Sequence, residues 1–199
     1  GDTTAGPLTI SITVLGEIPI AQGLCRDGAK SDDIIYVSGT LGDGAAALHQ
    51  LTHKNLPQNN RLVDRFYQPQ PCVELGIGLR EYASACIDIS DGLVADLNHL
   101  CKASAVSASI KSQLIPIHSD IKQAYSEHGK QWALTGGDDY QLCFTVPAIV
   151  QGNFEHWVRS KNFDVTAIGR MAALDHNQNY LEIDNQVSSI TAGGYTHFT

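Results

Sequence analysis

The sequence has little of what a membrane-bound or nucleic-acid-binding protein needs. No apolar run approaches the roughly 18 residues of a membrane-spanning helix, and no signal-peptide pattern is present. Only 13 of the 199 residues are lysine or arginine, against 21 aspartates and glutamates, and the basic residues form no stripe. We therefore expect neither a membrane nor a nucleic acid as a partner.

Paired cysteines are also missing. The five cysteines are odd in number, widely spaced, and lie mostly inside apolar runs with no C-x-x-C pair: Cys25, Cys72, Cys86, Cys101 and Cys143. This pattern predicts reduced thiols in the core of a cytoplasmic protein rather than a disulfide framework.

Methionine is nearly absent, since Met171 is the only one, and the chain opens on "GDTTAGPLTISITVLGEIP". Hydrophobic residues occupy every second position from Leu8 to Val14, which is the period of a half-buried strand that needs partner strands. We expect this chain to be a fragment of a longer protein.

The remaining pattern predicts one well-filled core, since 43% of the residues are hydrophobic. Segments typical of strands alternate with segments typical of helices, which favours an α/β fold with a mixed sheet covered by helices. Predicted strands cover "IIYVSG", "CIDI", 106–110, 141–146 and three segments near the end; predicted helices follow Gly44, Cys72, Gly92, Ser119 and Pro147, and 55–71 is predicted to be turns.

The stretch "CIDISDGLVADL" places two acids and a hydroxyl where a strand passes into a helix. Ser90 or Asp91 could cap that helix, since either side chain can accept hydrogen bonds from first-turn amides. One cap leaves Asp88 unexplained, because neighbouring carboxylates repel unless a cation or hydrogen-bond donors lie between them. Capping and cation binding both remain open at this point.

Two further loops carry hard oxygen ligands. Asp2 precedes two threonines, and "LTGGDDYQLCFTV" places Asp138 and Asp139 after two glycines. Carboxylates of this kind suit magnesium, which completes its shell with water and substrate phosphates. Each loop alone could equally be an Asx turn. The glycines of "GTLGDGAAAL" match no phosphate-binding motif and favour a tight turn between a strand and a helix.

Five segments, taken in order, resemble the thiamine-monophosphate kinases of the aminoimidazole ribonucleotide synthetase-like superfamily. They are "GDTTAGPLTISITVLGEIP", "RDGAKSDDIIYVSGTLGDGAAAL", "CIDISDGLVADL", "LTGGDDYQLCFTV" and "GYTHF". The resemblance implies an α/β (α+β) C-terminal domain over residues 20–199. It further implies that residues 1–19 are the last strand and loop of a truncated N-terminal domain that binds ATP and magnesium.

The resemblance also implies an activity: phosphorylation of thiamine monophosphate to thiamine diphosphate by direct in-line transfer from ATP, with magnesium, in a homodimer when full length. The fragment alone is expected to be inactive. The implied residues are Gly1, Asp2, Arg26 and Ser90 for ATP, Asp2, Asp88 and Asp91 for magnesium, and Asp138 and Tyr195 for the thiamine substrate. A carboxylate and an aromatic ring suit the cationic thiazolium.

The sequence departs from the family at three positions. The family usually has Glu at the position of Asp138, and an acid at those of Gln141 and Thr196. Two alternatives stay open. The protein could be another ATP-dependent synthetase of the superfamily, making selenophosphate or activating an amide, or the fragment could be a binding module without catalysis.

Overall fold

The computed structural model describes residues 10–53, 59–175 and 179–188. The strands are β1 (Ile34–Ser38), β2 (Ala85–Ile89), β3 (Ser107–Ile110), β4 (Gln141–Val146), β5 (Val165–Ala172), β6 (Leu181–Ile183) and β7 (Gln186–Ser188). The helices are α1 (Asp43–Thr52), α2 (Asn60–Tyr67), α3 (Val73–Leu79), α4 (Leu93–Ser104), α5 (Ser119–Ala124), α6 (Gly129–Thr135) and α7 (Gln151–Lys161), with short 3₁₀ turns at Ser112–Leu114 and Ala148–Val150.

The strands form one mixed sheet in the order β2-β4-β1-β5-β3-β6-β7. Neighbouring strands are antiparallel except for β3 and β6, which run parallel. Side chains alternate along each strand, so β1 sends Ile35 and Val37 to one face and Ile34 and Tyr36 to the other. The sheet is therefore buried on both faces, which explains why β1 is apolar at every position but its last.

Each face packs against its own helices. On one face, α4 contributes Leu93, Leu97 and Leu100 to a core that also contains side chains of strands β1 to β6. On the other face, α3 and α7 pack against the aromatic rings of β1 and β4, with Phe154 fully buried. The α/β class and the mixed, helix-covered sheet expected from the sequence are confirmed.

The stretch 55–71, predicted to be turns, contains a helix. Helix α2 begins after Asn59, whose side chain accepts a hydrogen bond from the Arg61 amide, and it buries Leu62 completely. The three prolines of this stretch, at positions 57, 69 and 71, fall outside Asn60–Tyr67 and so do not interrupt the helix. The prolines alone suggested turns, whereas the cap and the apolar face between them decided the structure.

The predicted strand near the start is absent from the described residues. Residues 10–19 have no regular secondary structure, and Ile12 and Val14 are 81% and 85% exposed. A period-2 pattern forms a strand only where another strand pairs with it, and none of the seven described strands does. The five cysteines are all free thiols, as the sequence predicted, but the core location is right only for Cys101 and Cys143; Cys25 is exposed, and Cys72 and Cys86 are half-buried.

Candidate functional site

Three loops meet at one end of the sheet. Strand β2 ends at Ile89, where it pairs with Gln141 at the beginning of β4, and β1 ends nearby at Ser38. The loops that follow β1 and β2 and the loop that precedes β4 therefore lie at the same sheet edge. These loops contain the glycines and most of the acids that the sequence singled out.

Direct backbone contacts join the loop after β2 to the loop before β4. The amide of Asp138 donates to the carbonyl of Ser90 over 3.0 Å, and the amide of Tyr140 donates to Ile89 over 2.8 Å. A Cβ atom on Gly137 would lie 2.5 Å from the Ser90 oxygen, which is closer than real Cβ atoms approach. Glycine at 137 is therefore needed to bring the two acidic segments together.

The Tyr140 phenol contacts one carboxylate and feels the charge of two more. Its hydroxyl donates to Asp138 Oδ1 over 2.9 Å. This hydrogen bond, partial burial, and the negative charges of Asp138, Asp88 and Asp91 raise the pKa of Tyr140. Both Asp138 and Tyr140 have left-handed backbone with φ of 65° and 51°, a strained conformation for residues with side chains.

These carboxylates have no cationic partner in the part of the chain that the structure describes, since none of its ion pairs includes Asp88, Asp91 or Asp138. Asp88 and Asp138 are exposed and Asp91 is half-buried. An unneutralised group of acids at a loop junction repels itself, so this edge of the sheet attracts cations.

A buried carboxylate that the sequence analysis missed holds the loop after β2. Asp96, in the first turn of α4 and only 3% exposed, accepts through one oxygen, Oδ2, from the amides of Ser90 and Asp91, both over 3.0 Å. The cap residue of α4 is Gly92, with φ of 109° and no side-chain hydrogen bond. Of the two alternatives left open for Ser90 and Asp91, capping of α4 is therefore not the one observed, since neither side chain accepts a hydrogen bond from a first-turn amide in the described structure.

A second buried carboxylate holds the glycine loop before α1. Asp139 accepts from the amide of Gly42 over 2.7 Å and from that of Gly44 over 3.0 Å. Burial raises the pKa of Asp139 to about 7, although the two amides lower it. Because both amides bind a carboxylate of the protein, the tight-turn interpretation of these glycines is confirmed.

A cleft of about 670 Å³ opens beside these loops between the end of β1, α2 and the start of α3. At its wall, Asp43 is fully buried and accepts two hydrogen bonds from Arg61, at 3.0 and 3.1 Å, with Arg65 at 3.5 Å. The Gln141 amide lies between Arg65 and Ser38, and it satisfies both partners when its oxygen faces Arg65 and its nitrogen faces Ser38. Gln141, where the family usually has an acid, is thus a neutral partner for Arg65.

The structure brings together four of the predicted site residues: Asp88, Ser90, Asp91 and Asp138. Arg26 is not among them, because its carbonyl accepts from Ser104 at the far end of α4, and a 12-residue helix is about 18 Å long. The role of Arg26 stays a prediction. Gly1, Asp2, Tyr195 and Thr196 lie outside the described residues.

Two of the described carboxylates are of the kind that binds magnesium. Asp88 and Asp91 supply two hard carboxylates, and magnesium in proteins is often held by one or two carboxylates with water and phosphate oxygens completing the shell. Within the described ranges, no group of three or more histidine, cysteine, aspartate or glutamate side chains is arranged to hold a metal. The third predicted ligand, Asp2, belongs to the part that is not described.

Faint sequence signals existed for the missed residues. Asp96 lies five positions after Asp91 on an otherwise apolar helical face, which is unusual for an unpaired acid. Tyr140 follows two aspartates and two glycines in a segment already marked as a turn. Asp139 was noted with Asp138, but sequence alone could not separate the exposed acid from the buried one.

In the described residues, no helix is long and apolar enough to cross a membrane.

Comparison with known proteins extends these observations. The family model described as "AIR synthase related protein, C-terminal domain" matches residues 30–180. The chain is 39% identical over 204 residues to a thiamine-monophosphate kinase of Salmonella typhimurium, covering 100% of this chain and 62% of that protein. The chain thus spans less than two thirds of the length of this relative.

Solved structures give the same result. The crystal structure of thiamine-monophosphate kinase from Stenotrophomonas maltophilia is similar with a TM-score of 0.79 and 34% identity, over 86% of this chain and 56% of that one. AaThiL complexed with AMPPCP and TMP has a TM-score of 0.74 and 33% identity, over 88% and 54%. The resemblance seen in the sequence is confirmed, and the chain belongs to the family of AIR synthase related proteins, as their C-terminal domain.

Proposed function

We propose that this chain is the C-terminal part of an enzyme that phosphorylates thiamine monophosphate to thiamine diphosphate with ATP and magnesium. The observation that carries the proposal is that backbone hydrogen bonds join the segment of Asp88 and Asp91 to that of Asp138, and that none of these acids has an ion-pair partner among the described residues. The similarity to thiamine-monophosphate kinases over the whole chain supports it.

The role proposed for each residue follows from the chemistry of its side chain. Asp88 and Asp91 would hold magnesium, which neutralises charge on the transferred phosphoryl group. Asp138, fixed by the Tyr140 hydroxyl, would face the cationic thiazolium, and an exposed carboxylate can do so without leaving a buried charge unpaired. Gly1, Asp2, Arg26 and Ser90 would contact ATP, and Tyr195 would contact the thiamine moiety, as the resemblance implies.

In this proposal, residues 1–19 belong to the N-terminal domain and 20–199 form the C-terminal domain of a homodimeric enzyme. The exposed apolar side chains between residues 10 and 19 support this division, since Ile10, Val14 and Leu15 are 75%, 85% and 91% exposed. The 199-residue chain alone is then expected not to catalyse the formation of thiamine diphosphate.

The test needs a protein of the relatives' length. We would join the N-terminal part of the Salmonella typhimurium relative to this chain, verify folding by circular dichroism, and measure thiamine diphosphate by chromatography after incubation with thiamine monophosphate, ATP and magnesium. Product that depends on all three components supports the proposal. ATP consumption with selenide or an amide substrate, and none with thiamine monophosphate, would favour another synthetase of the superfamily.

A further inference from the structure

Two loops of this edge are held by carboxylates that are themselves not exposed. Asp96 lies beneath the loop after β2 with 3% of its surface exposed, and its Oδ2 atom accepts two consecutive amides, those of Ser90 and Asp91. The N-cap residue of α4, Gly92, has no side-chain hydrogen bond. One carboxylate oxygen therefore fixes two consecutive amides of this loop.

The loop has few other restraints of its own. Gly92, with φ of 109°, separates it from α4, and a Cβ atom at this position would meet the backbone of Thr135 at 2.8 Å. The carbonyl of Ser90 accepts from Asp138, so the same loop also supports the segment before β4. Displacing the two amides would move the carboxylates of Asp88 and Asp91 relative to each other and to Asp138.

The Asp96 carboxylate is 3% exposed, and its Oδ2 atom is occupied by loop amides rather than by first-turn amides of α4. A helix at this position could be capped by a serine or aspartate just before it, and the sequence supplies both at Ser90 and Asp91. Those two side chains are instead left available to a ligand.

We infer that Asp96 is a positioning residue: by accepting the Ser90 and Asp91 amides, its carboxylate sets the geometry in which Asp88 and Asp91 bind a divalent cation. The inference rests on the proposed function. It assigns Asp96 no contact with the metal or with phosphate, and its role ends at the loop backbone. What matters is the acceptor oxygen rather than the negative charge.

The experiment separates these two properties. Because both amides donate to one oxygen, the side-chain carbonyl of asparagine can replace it, so Asp96→Asn keeps the acceptor without the charge. Asp96→Ala removes the acceptor. Asp33→Ala is the matched control, since Asp33 Oδ2 also accepts an amide, from Lys30 at 2.9 Å, but lies before β1 at the opposite end of the sheet.

The measurement is binding of Mn²⁺, a paramagnetic substitute for magnesium, to the 199-residue chain by electron paramagnetic resonance, with line broadening of the Ser90 and Asp91 amides in ¹⁵N spectra. We expect Asp96→Ala to weaken Mn²⁺ binding ~10-fold or more, as loss of residues that orient metal ligands does, while Asp96→Asn stays within about threefold of wild type. Asp33→Ala should lower the melting temperature and leave Mn²⁺ affinity unchanged.

Three results would overturn the inference. Unchanged Mn²⁺ affinity in a folded Asp96→Ala variant would show a purely structural role. Equal losses in Asp96→Asn and Asp96→Ala would show that the charge, not the acceptor, is responsible. If wild type binds Mn²⁺ without broadening the Ser90 and Asp91 amides, the magnesium assignment of the proposed function fails as well, which distinguishes that failure from the first two.

Discussion

The buried carboxylate of Asp139 should make the stability of this domain depend on pH in a specific way. Burial raises its pKa from 3.8 to about 7, so the folded state favours the protonated form more than the unfolded state does. The contribution of this raised pKa to the unfolding free energy is therefore largest below about pH 4. It falls as pH rises to about 7, and above about pH 7 it no longer changes. The sign is opposite to that of an aspartate in a surface ion pair.

Asp139→Asn tests this reasoning because it removes the titration. At 1.36 kcal/mol per pKa unit, wild type should lose about 2–3 kcal/mol of unfolding free energy between pH 5 and pH 8 relative to the variant. Asparagine can accept only one of the Gly42 and Gly44 amides, which use different carboxylate oxygens, and the orphaned amide costs about 1–3 kcal/mol. The variant should therefore be clearly less stable at pH 5 and close to wild type at pH 8.

Urea unfolding at pH 5, 6, 7 and 8 measures the difference directly, since other titrating groups are shared and cancel in the subtraction. The difference should shrink up to about pH 7 and then remain level. A wild-type-minus-variant difference that does not change with pH would refute the assignment of a raised pKa to Asp139.

Three further changes have defined outcomes. Gly137→Ala forces a Cβ atom against the Ser90 carbonyl, so we expect a loss of about 1–3 kcal/mol and shifted Ser90 amide resonances; a wild-type melting temperature would contradict the close approach. Phe154→Ala removes a fully buried ring and should cost about 3–5 kcal/mol without changing Mn²⁺ affinity, as urea unfolding and titration would show. Tyr195→Ala in the joined protein should weaken thiamine monophosphate binding by ~1–2 kcal/mol and leave ATP affinity unchanged. If variant and wild type have the same Michaelis constant for thiamine monophosphate, Tyr195 does not bind the substrate.

Much of the fold could be predicted because its determinants are local. Strand β4 begins and ends where the sequence predicted, at Gln141 and Val146, since an apolar run is bounded there by turn residues and Pro147. Helix α2 was missed because the three prolines at positions 57, 69 and 71 outweighed an apolar face only eight residues long. The strand predicted within residues 8–14 is not formed in the described residues 10–14, since pairing is not a property of one segment.

The site residues also fall into two groups, those that the sequence indicates and those whose role only the structure shows. Asp88, Asp91 and Asp138 could be identified because acids clustered where strands and helices meet at glycines are visible in a sequence. The residues that hold them could not: Asp96 bonds amides only five and six positions away, but its acid could not be told from a solvated one, and the partners of Asp139 lie far away in sequence. Asp139 and Gly44 are 95 positions apart, and no local pattern reports such a contact.

The central claim is that Asp88 and Asp91 carry the chemistry of phosphoryl transfer to thiamine monophosphate. The most direct test is the rate of thiamine diphosphate formation by the joined protein at saturating magnesium, comparing Asp88→Asn and Asp91→Asn with Asp33→Asn, a buried aspartate at the other end of the sheet. We predict that each of the first two variants loses ~100-fold or more in rate while remaining folded, and that Asp33→Asn keeps the wild-type rate. Wild-type rates in Asp88→Asn and Asp91→Asn would contradict the account.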